Sequence, residues 1–306
     1  MMKYFFGVDI GGTAVKWAVV TGDYEIVRNG EFKTLYDGTE VLVNQILKVY
    51  QEQDLMFEGI GISVPGTLNK DADGTVKGGG VLSYLDGVPL GKLVRERCGI
   101  PCFVENDGVS CALGEYSCGA LRGCRVGVAV VLGTGVGGGI VINGDVFKGA
   151  HAFAGEFSFL LERPGGPLKG ENMLGMSCGW KAGLLDEILK RKGLPMDTVM
   201  NGHDIFGLIH AGDPDAREAL RKFCRHLATQ IHNLQVIIDP EVFAIGGGIS
   251  NQPVLMEELQ KALDAIYGNT EFKQAPVPVI VQCCHGSAAN LLGAVYHCRK
   301  RMESIE

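Results

Sequence analysis

Short apolar runs divided by glycine turns, then amphipathic stretches of longer period, alternate along almost the whole chain. Residues 3–10, 14–20 and 25–33 predict three strands, separated by Gly11-Gly12-Thr13 and by a TGD turn at 21–23. Residues 38–53 predict a helix, because Val41, Ile46, Leu47 and Tyr50 recur at helical spacing. FEGIGISVPG reads as a buried strand ending in a turn, residues 89–98 as a helix, PCFVEND as a further strand, and GVSCALGEYSCG as a short helix closed by glycine. In the second half, Leu220, Phe223, Cys224, Leu227, Ile231 and Leu234 fall on one face of a long helix. PEVFAIGGGIS predicts a strand, a glycine turn and a helix starting near Pro253. VPVIVQC predicts a last strand, and GSAANLLGAVYHCRKR a C-terminal amphipathic helix.

The opening pattern recurs. VGVAVVLGTGVGGGIVINGDVFKG (126–149) repeats strand, glycine turn, strand and NGD turn at a constant offset of 122, with Gly11 on Gly133, Gly22 on Gly144 and Asp23 on Asp145. A single duplication of that length implies two similarly built α/β domains rather than a solenoid. The division expected is 1–120, completed by the C-terminal helix at about 290–306, and 121–289. The length of 306 residues fits two domains of roughly 150 each.

Composition narrows the function. Hydrophobic residues are 46 % and charged residues 21 %, enough for large cores. The net charge of −7 offers no basic field for nucleic acid. No apolar run reaches the ~18 residues of a membrane span, and no signal peptide precedes the first strand, so a cytoplasmic protein without membrane partners is expected. The ten cysteines are irregularly spaced, contain no CxxC pair, and read as buried thiols of a reducing compartment.

The 45 glycines cluster at strand ends, where a backbone without Cβ can approach a ligand closely. Gly11-Gly12-Thr13 and Gly133-Thr134-Gly135 can each present successive N–H groups to a polyphosphate. Gly246-Gly247-Gly248, between a strand and a helix, can lie against a nucleoside. Each turn alone is also explained by hairpin geometry; the three together in a duplicated frame point to a nucleotide. Neither a P-loop nor a strand–GxGxxG–helix unit is present. Asp9, in an apolar strand, is met either by local backbone N–H groups or by a Mg²⁺ ion carried on the phosphates. Asp107, where a strand enters a helix, is either an N-cap or the base that takes a hydroxyl proton during phosphoryl transfer. Asn106 beside it is a candidate ligand for a neighbouring hydroxyl.

DIGGT, ISVPGTL, ENDG…ALGE, LGTGVGGGIVINGDVFKGAHAFAGE, AIGGGIS and LLGA, in that order, resemble the ROK family (repressors, open reading frames, kinases) of the actin/hexokinase/Hsp70-like ATPase superfamily. The resemblance spans about residues 3–297. It implies two actin-like, ribonuclease H-like domains around a central cleft. It also implies transfer of the ATP γ-phosphate to a hydroxyl of a hexose, hexosamine or glucoside, most often the 6-hydroxyl. By the family pattern Asp107 is the base, and Asn106, Glu156 and backbone near Gly66 bind sugar. Gly11, Gly12, Thr13, Thr134 and Gly135 hold the phosphates, while Gly247 and Gly248 approach adenosine. Homodimers are usual in the family.

Two departures stand out. Many members carry a zinc motif, CxCGxxGCxE; here the region reads RPGGPLKGENMLGMSCGW, with Cys178 alone, and Met173 aligns where a sugar-binding glutamate ends the motif, Glu171 lying nearby. The usual E-x-G-H reads EFSF, so Phe159 replaces a histidine that bonds sugar hydroxyls near the anomeric carbon. Phe159 either fills core or packs on a substituted sugar. His151 and His203 match no motif and read as ordinary polar residues. The family's DNA-binding branch carries a helix-turn-helix that this sequence lacks, so no DNA partner is expected. A non-catalytic sugar sensor is the alternative function, and the retained Asp9, Asp107 and glycine turns weigh against it. With no zinc ligand set, zinc chelation that spares Mg²⁺ should leave both activity and the melting curve unchanged. Stoichiometric zinc in washed protein would overturn that expectation.

Overall fold

A computed structural model describes residues 2–69, 73–268, 271–272 and 274–305. The first half runs β1 (Tyr4–Ile10), β2 (Ala14–Thr21), β3 (Ile26–Lys33), α1 (Thr39–Gln51), β4 (Phe57–Val64), β5 (Thr67–Leu68), β6 (Val76–Lys77), α2 (Leu90–Cys98), β7 (Cys102–Asn106) and α3 (Asp107–Cys118). The second half runs β8 (Val126–Leu132), β9 (Val136–Ile142), β10 (Asp145–Val146), α4 (Leu174–Ser177), α5 (Asp186–Lys192), α6 (Gly202–His210), α7 (Pro214–Ile238), β11 (Val242–Gly246), α8 (Pro253–Tyr267), β12 (Ile280–Gln282) and α9 (Ala289–Glu303).

The duplication is visible in the sheets. One has the order β3-β2-β1-β4-β7 and the other β10-β9-β8-β11-β12. In each, an antiparallel hairpin is followed by parallel strands added beside its first member. The offset of 122 places Tyr4–Ile10 on Val126–Leu132. The strand expected at VPVIVQC shrinks to Ile280–Gln282 on the sheet edge, since Pro276 and Pro278 lack the N–H a ladder needs.

Alternation along each strand gives both five-stranded sheets two apolar faces. Phe6, Val8 and Ile10 point to a core with α1 and α2, while Phe5 points the other way, to Leu291, Leu292 and Val295 of α9. In the second half, Val128, Val130 and Leu132 join a core with α5, α7 and α8, and Ala129 and Val141 meet Val109, Ala112 and Leu113 of α3. The two inner helices therefore cross over: α3 follows the first sheet in sequence but packs on the second, and α9 does the reverse.

α3 and α9 touch backbone to backbone. A Cβ on Gly293 would fall inside the Ser110 carbonyl, and one on Gly114 inside the Ala289 carbonyl. Gly293→Ala should accordingly cost about 3 kcal/mol, the upper range for overpacking. Gly207→Ala, at a helical position with open space around it, should instead stabilise by about 0.5–1 kcal/mol. Chemical denaturation of the two variants against wild type checks both signs.

Candidate active site

β4 and β7 are parallel with Val64 beside Asn106, so the VPG turn and the Asn106-Asp107 pair leave the sheet at the same end. Asn106 is the N-cap of α3: its Oδ1 accepts from the Val109 N–H at 3.0 Å, and its Nδ2 donates to the Gly66 carbonyl (2.8 Å) and to Asp107 Oδ1 (3.1 Å). Capping thus falls to Asn106, and Asp107 is the first helical residue, its Oδ1 accepting from the Gly108 N–H at 2.8 Å. Burial pushes the Asp107 carboxyl up to about 6, opposed by the Gly108 N–H and helped by the nearby Asp9 charge. A carboxylate of that strength is ionised at neutral pH and well matched to accept a proton. Gly66 has φ +95°, and a Cβ there would stand 2.7 Å from the Lys77 carbonyl; its own carbonyl is used by Asn106.

Asp9 sits beside Ser63 on β4 and opposite Lys16 on β2. Ser63 Oγ donates to Asp9 Oδ1 at 2.7 Å and Asn290 Nδ2 donates to the same oxygen at 3.1 Å. Its partners are side chains from two other elements, not the local backbone. Burial raises its pKa, with Ser63, Asn290 and Lys16 acting against that rise.

The two hairpin turns are held by their own carbonyls. Thr34 Oγ1 donates to Gly11 O at 2.6 Å, Tyr36 Oη to Gly12 O at 2.5 Å, and the Thr34 N–H to Thr13 O at 3.1 Å. In the second turn the Trp180 N–H donates to Gly133 O at 3.0 Å, and Ser158 Oγ bridges the Val136 N–H (2.9 Å) and carbonyl (3.1 Å). The amides of Gly12, Thr13, Thr134 and Gly135 make no hydrogen bond to the described residues, which suits them to phosphate oxygens. Beyond the second turn a cavity of about 440 Å³ is lined by Gly133, Thr134, Trp180, His203, Phe206 and Gly248 among others. That lies within the ~300–1,000 Å³ of small-molecule sites. Gly247, with φ +95°, lets the end of β11 lie against Leu132, where any Cβ would clash with the carbonyl.

Beside Asn106 a smaller cavity is lined by Thr67, Leu68, Glu105, Lys148 and Glu156 among others. Glu156 precedes the 3-10 turn Phe157–Phe159; burial raises its pKa, and Asp107 adds to the rise. Phe159 is 40 % exposed and packs on the half-exposed Phe153, ring centres 5.1 Å apart. It therefore does not fill core. In the segment aligned with the zinc motif, Glu162 accepts from Ser177 Oγ at 2.9 Å and pairs with His226 of α7, while the buried Cys178 thiol donates to the Phe223 carbonyl. Glu171 is exposed and Met173 is the N-cap of α4. All ten cysteines are free thiols, and only Cys284 is exposed.

The ROK family model matches residues 5–301. The chain belongs to the ROK family. Beta-glucoside kinase from Listeria innocua serovar 6a is 31 % identical over 291 residues, 94 % of this chain and 95 % of that protein. A ROK family protein from Streptococcus pneumoniae TIGR4, solved in complex with sucrose, superposes with TM-score 0.86 at 28 % identity, covering 98 % of this chain and 99 % of that one. A ROK family glucokinase from Streptomyces griseus, in complex with glucose and AMPPNP, gives TM-score 0.81 at 26 % identity, covering 97 % and 99 %. The architecture is the two-domain actin-like one of these ROK structures.

Several site residues escaped the sequence. Ser63 and Asn290 reach Asp9 only through strand register and the placement of α9. Trp180, Phe206 and His203 line the cavity beside Thr134; His203, read as an ordinary polar residue, belongs with them. The one signal for Ser63 was a lone hydroxyl in an otherwise apolar strand. Asp107→Asn should retain sugar binding and lose about 10²–10⁴ in kcat. In the wild type, kcat/KM should fall as pH drops below about 6, because the protonated carboxyl can no longer take up the hydroxyl proton. Stopped assays across pH 5–8, with sugar affinity measured separately, check both; near-normal turnover of the variant would reduce Asp107 to a structural role.

Proposed function

We propose that this ROK-family sugar kinase uses Asp107 as general base to phosphorylate the 6-hydroxyl of a glucoside, or of a hexose altered at C1 or C2. The observation that carries this reading is the position of Asp107. It is relieved of capping by Asn106, raised toward neutrality, and close enough to feel the charge of Asp9 on the phosphate side and to act on Glu156 on the sugar side. Asp107 takes the proton as the hydroxyl oxygen attacks the γ-phosphorus; the bond to the β,γ-bridging oxygen breaks and ADP leaves. Little covalent work is asked of the protein beyond alignment and charge stabilisation.

The free amides of Gly12, Thr13, Thr134 and Gly135 hold the phosphates of ATP, while the Gly11 N–H, expected to join them, donates instead to the Ala14 carbonyl at 3.1 Å and shapes the turn; Gly247 and Gly248 border its adenosine. Asp9 is the carboxylate that would hold a Mg²⁺ ion carried with ATP, which would supply charge neutralisation of the phosphates there. Asn106, Glu156 and backbone at Gly66 bind the sugar. No zinc is required, because hydrogen bonds among Glu162, Ser177 and His226 tie down the segment that the metal would organise. The C-terminal helix from about 290 completes the first domain as expected, while α3 packs on the second sheet, so the expected boundary at 120/121 moves back to the end of β7; the protein acts in the cytoplasm as a homodimer without nucleic-acid or membrane partners.

For the acceptor, the exposed Phe153–Phe159 pair and the similarity to a beta-glucoside kinase support a C1-substituted sugar. An aromatic face offers packing to a pyranose or aglycone but no hydrogen bond to a free anomeric hydroxyl. Comparing kcat/KM for glucose, N-acetylmannosamine and cellobiose tests this. Wild type should favour cellobiose, and Phe159→His should raise the value for glucose about 2–10-fold, the worth of one net hydrogen bond of ~0.5–1.5 kcal/mol. A wide wild-type preference for free glucose would overturn the acceptor assignment.

A further inference from the structure

Glu105 is the residue before the Asn106-Asp107 pair, and its side chain is only 2 % exposed. Its Oε1 accepts from the Asn106 N–H at 2.9 Å, so the carboxylate is locked to the backbone of the site. Its Oε2 faces two groups from the rest of the chain. Lys148 Nζ stands 2.6 Å away and His297 Nδ1, on α9, 3.4 Å away. His297 is the neutral member: burial pushes its pKa down to about 4, Glu105 pulling it up and Lys148 and Arg301 pushing it further down. The cation that meets the Glu105 charge is therefore Lys148.

Lys148 lies two residues after β10 and eight before Glu156. Its ammonium reaches from the second-sheet side of the molecule to the end of β7 in the first sheet. Both members of the pair line the cavity that also contains Asn106 and Glu156. That cavity holds about 20 Å³, enough for about one water. A pyranose is larger than that space, so its fit depends on how the two walls are set relative to each other.

We propose that Glu105 and Lys148 are positioning residues. Their ion pair, with Glu105 buried and the Lys148 side chain 36 % exposed, fixes the 148–156 segment, and with it Glu156, at a set distance from Asp107 across the sugar pocket. Neither residue touches the reacting atoms. Removing the pair leaves both sugar walls present but out of register, and misplacement of about 1 Å costs on the order of 10² in rate. The ATP-binding turns lie on other elements and keep their geometry.

The idea rests on the sugar site described above, and the experiment separates the two. Lys148→Met, Lys148→Arg, Glu105→Gln and the double variant Glu105→Gln/Lys148→Met are assayed for sugar and ATP kinetics and for thermal stability, beside Asp107→Asn and Glu156→Gln. Lys148→Met leaves a buried carboxylate unpaired and should lower the melting temperature. The double variant, with both charges gone, should recover most of that stability. The expected result is a loss of about 10² in kcat/KM for sugar in both, an ATP KM within about twofold of wild type, and partial rescue by Lys148→Arg. Three outcomes would overturn the proposal. The double variant could regain wild-type sugar kinetics along with its stability, which makes the pair merely structural. Lys148→Met could raise sugar kcat/KM, which makes the pair a barrier to opening. Sugar and ATP parameters could decline together. If Asp107→Asn and Glu156→Gln keep wild-type turnover, the site assignment itself fails, and this inference with it.

Discussion

Everything in the cleft depends on the crossing of α3 and α9 at Gly114 and Gly293. Each helix springs from one half of the duplication and covers the sheet of the other, so the crossing is the seam of the molecule. Asp107 is the first residue of α3, and Asn290, the second residue of α9, holds Asp9. The separation between the Asp107 and Asp9 carboxyls is thus set by how closely two backbones approach. Side chains at the seam would push the helices apart and carry those two groups with them. Close-packed interiors transmit such shifts rather than absorbing them. Glycine at both points removes anything that could flex.

The cleft also concentrates negative charge. Asp107 feels Asp9, and Glu156 feels Asp107, while burial raises all three carboxyls. That arrangement is unfavourable in itself and is offset locally: Ser63 and Asn290 donate to Asp9, the Gly108 N–H donates to Asp107, and Lys16 lies across the ladder from Asp9. A carboxylate held near neutrality by its neighbours is a stronger base than one solvated by water. The same electrostatics that cost the fold something thus give Asp107 its strength, a trade usual at sites of chemistry.

Much of the architecture was legible because it is written locally. Apolar runs and glycine turns report strand ends directly, and the constant offset of 122 showed that the second hairpin repeats the first. What stayed hidden needed distant partners. Ser63 matters because β4 pairs with β1 in one register, and Glu105 because Lys148 arrives from the other half of the chain. Asp107 was ambiguous between cap and base, and only the Asn106 side chain, bonded to the Val109 N–H, decides which residue caps α3. The excursion through β5 and β6 and the helical segments 180–192 and 202–210 are short or irregular, including a π-helical stretch at Trp180–Leu185, and carry weak periodicity.

The departures from the family pattern fall on one side of the cleft, for a physical reason. On the assignment proposed above, the phosphate side is built from backbone: amides in glycine turns and a close approach of β11 to β8 that no side chain tolerates. A backbone cradle has no substitute that keeps its shape. The sugar side is built from side chains on the irregular segment between β10 and α5, and a side chain can be exchanged for another that holds the same wall. Glu162 with His226 and Ser177 can brace that wall where other members use a metal, and Phe159 can present an aromatic face where others present a histidine. On the function proposed above, the acceptor is free to diverge while phosphoryl transfer stays fixed, and the side-chain wall between Lys148 and Phe159 is where the choice of sugar would be made.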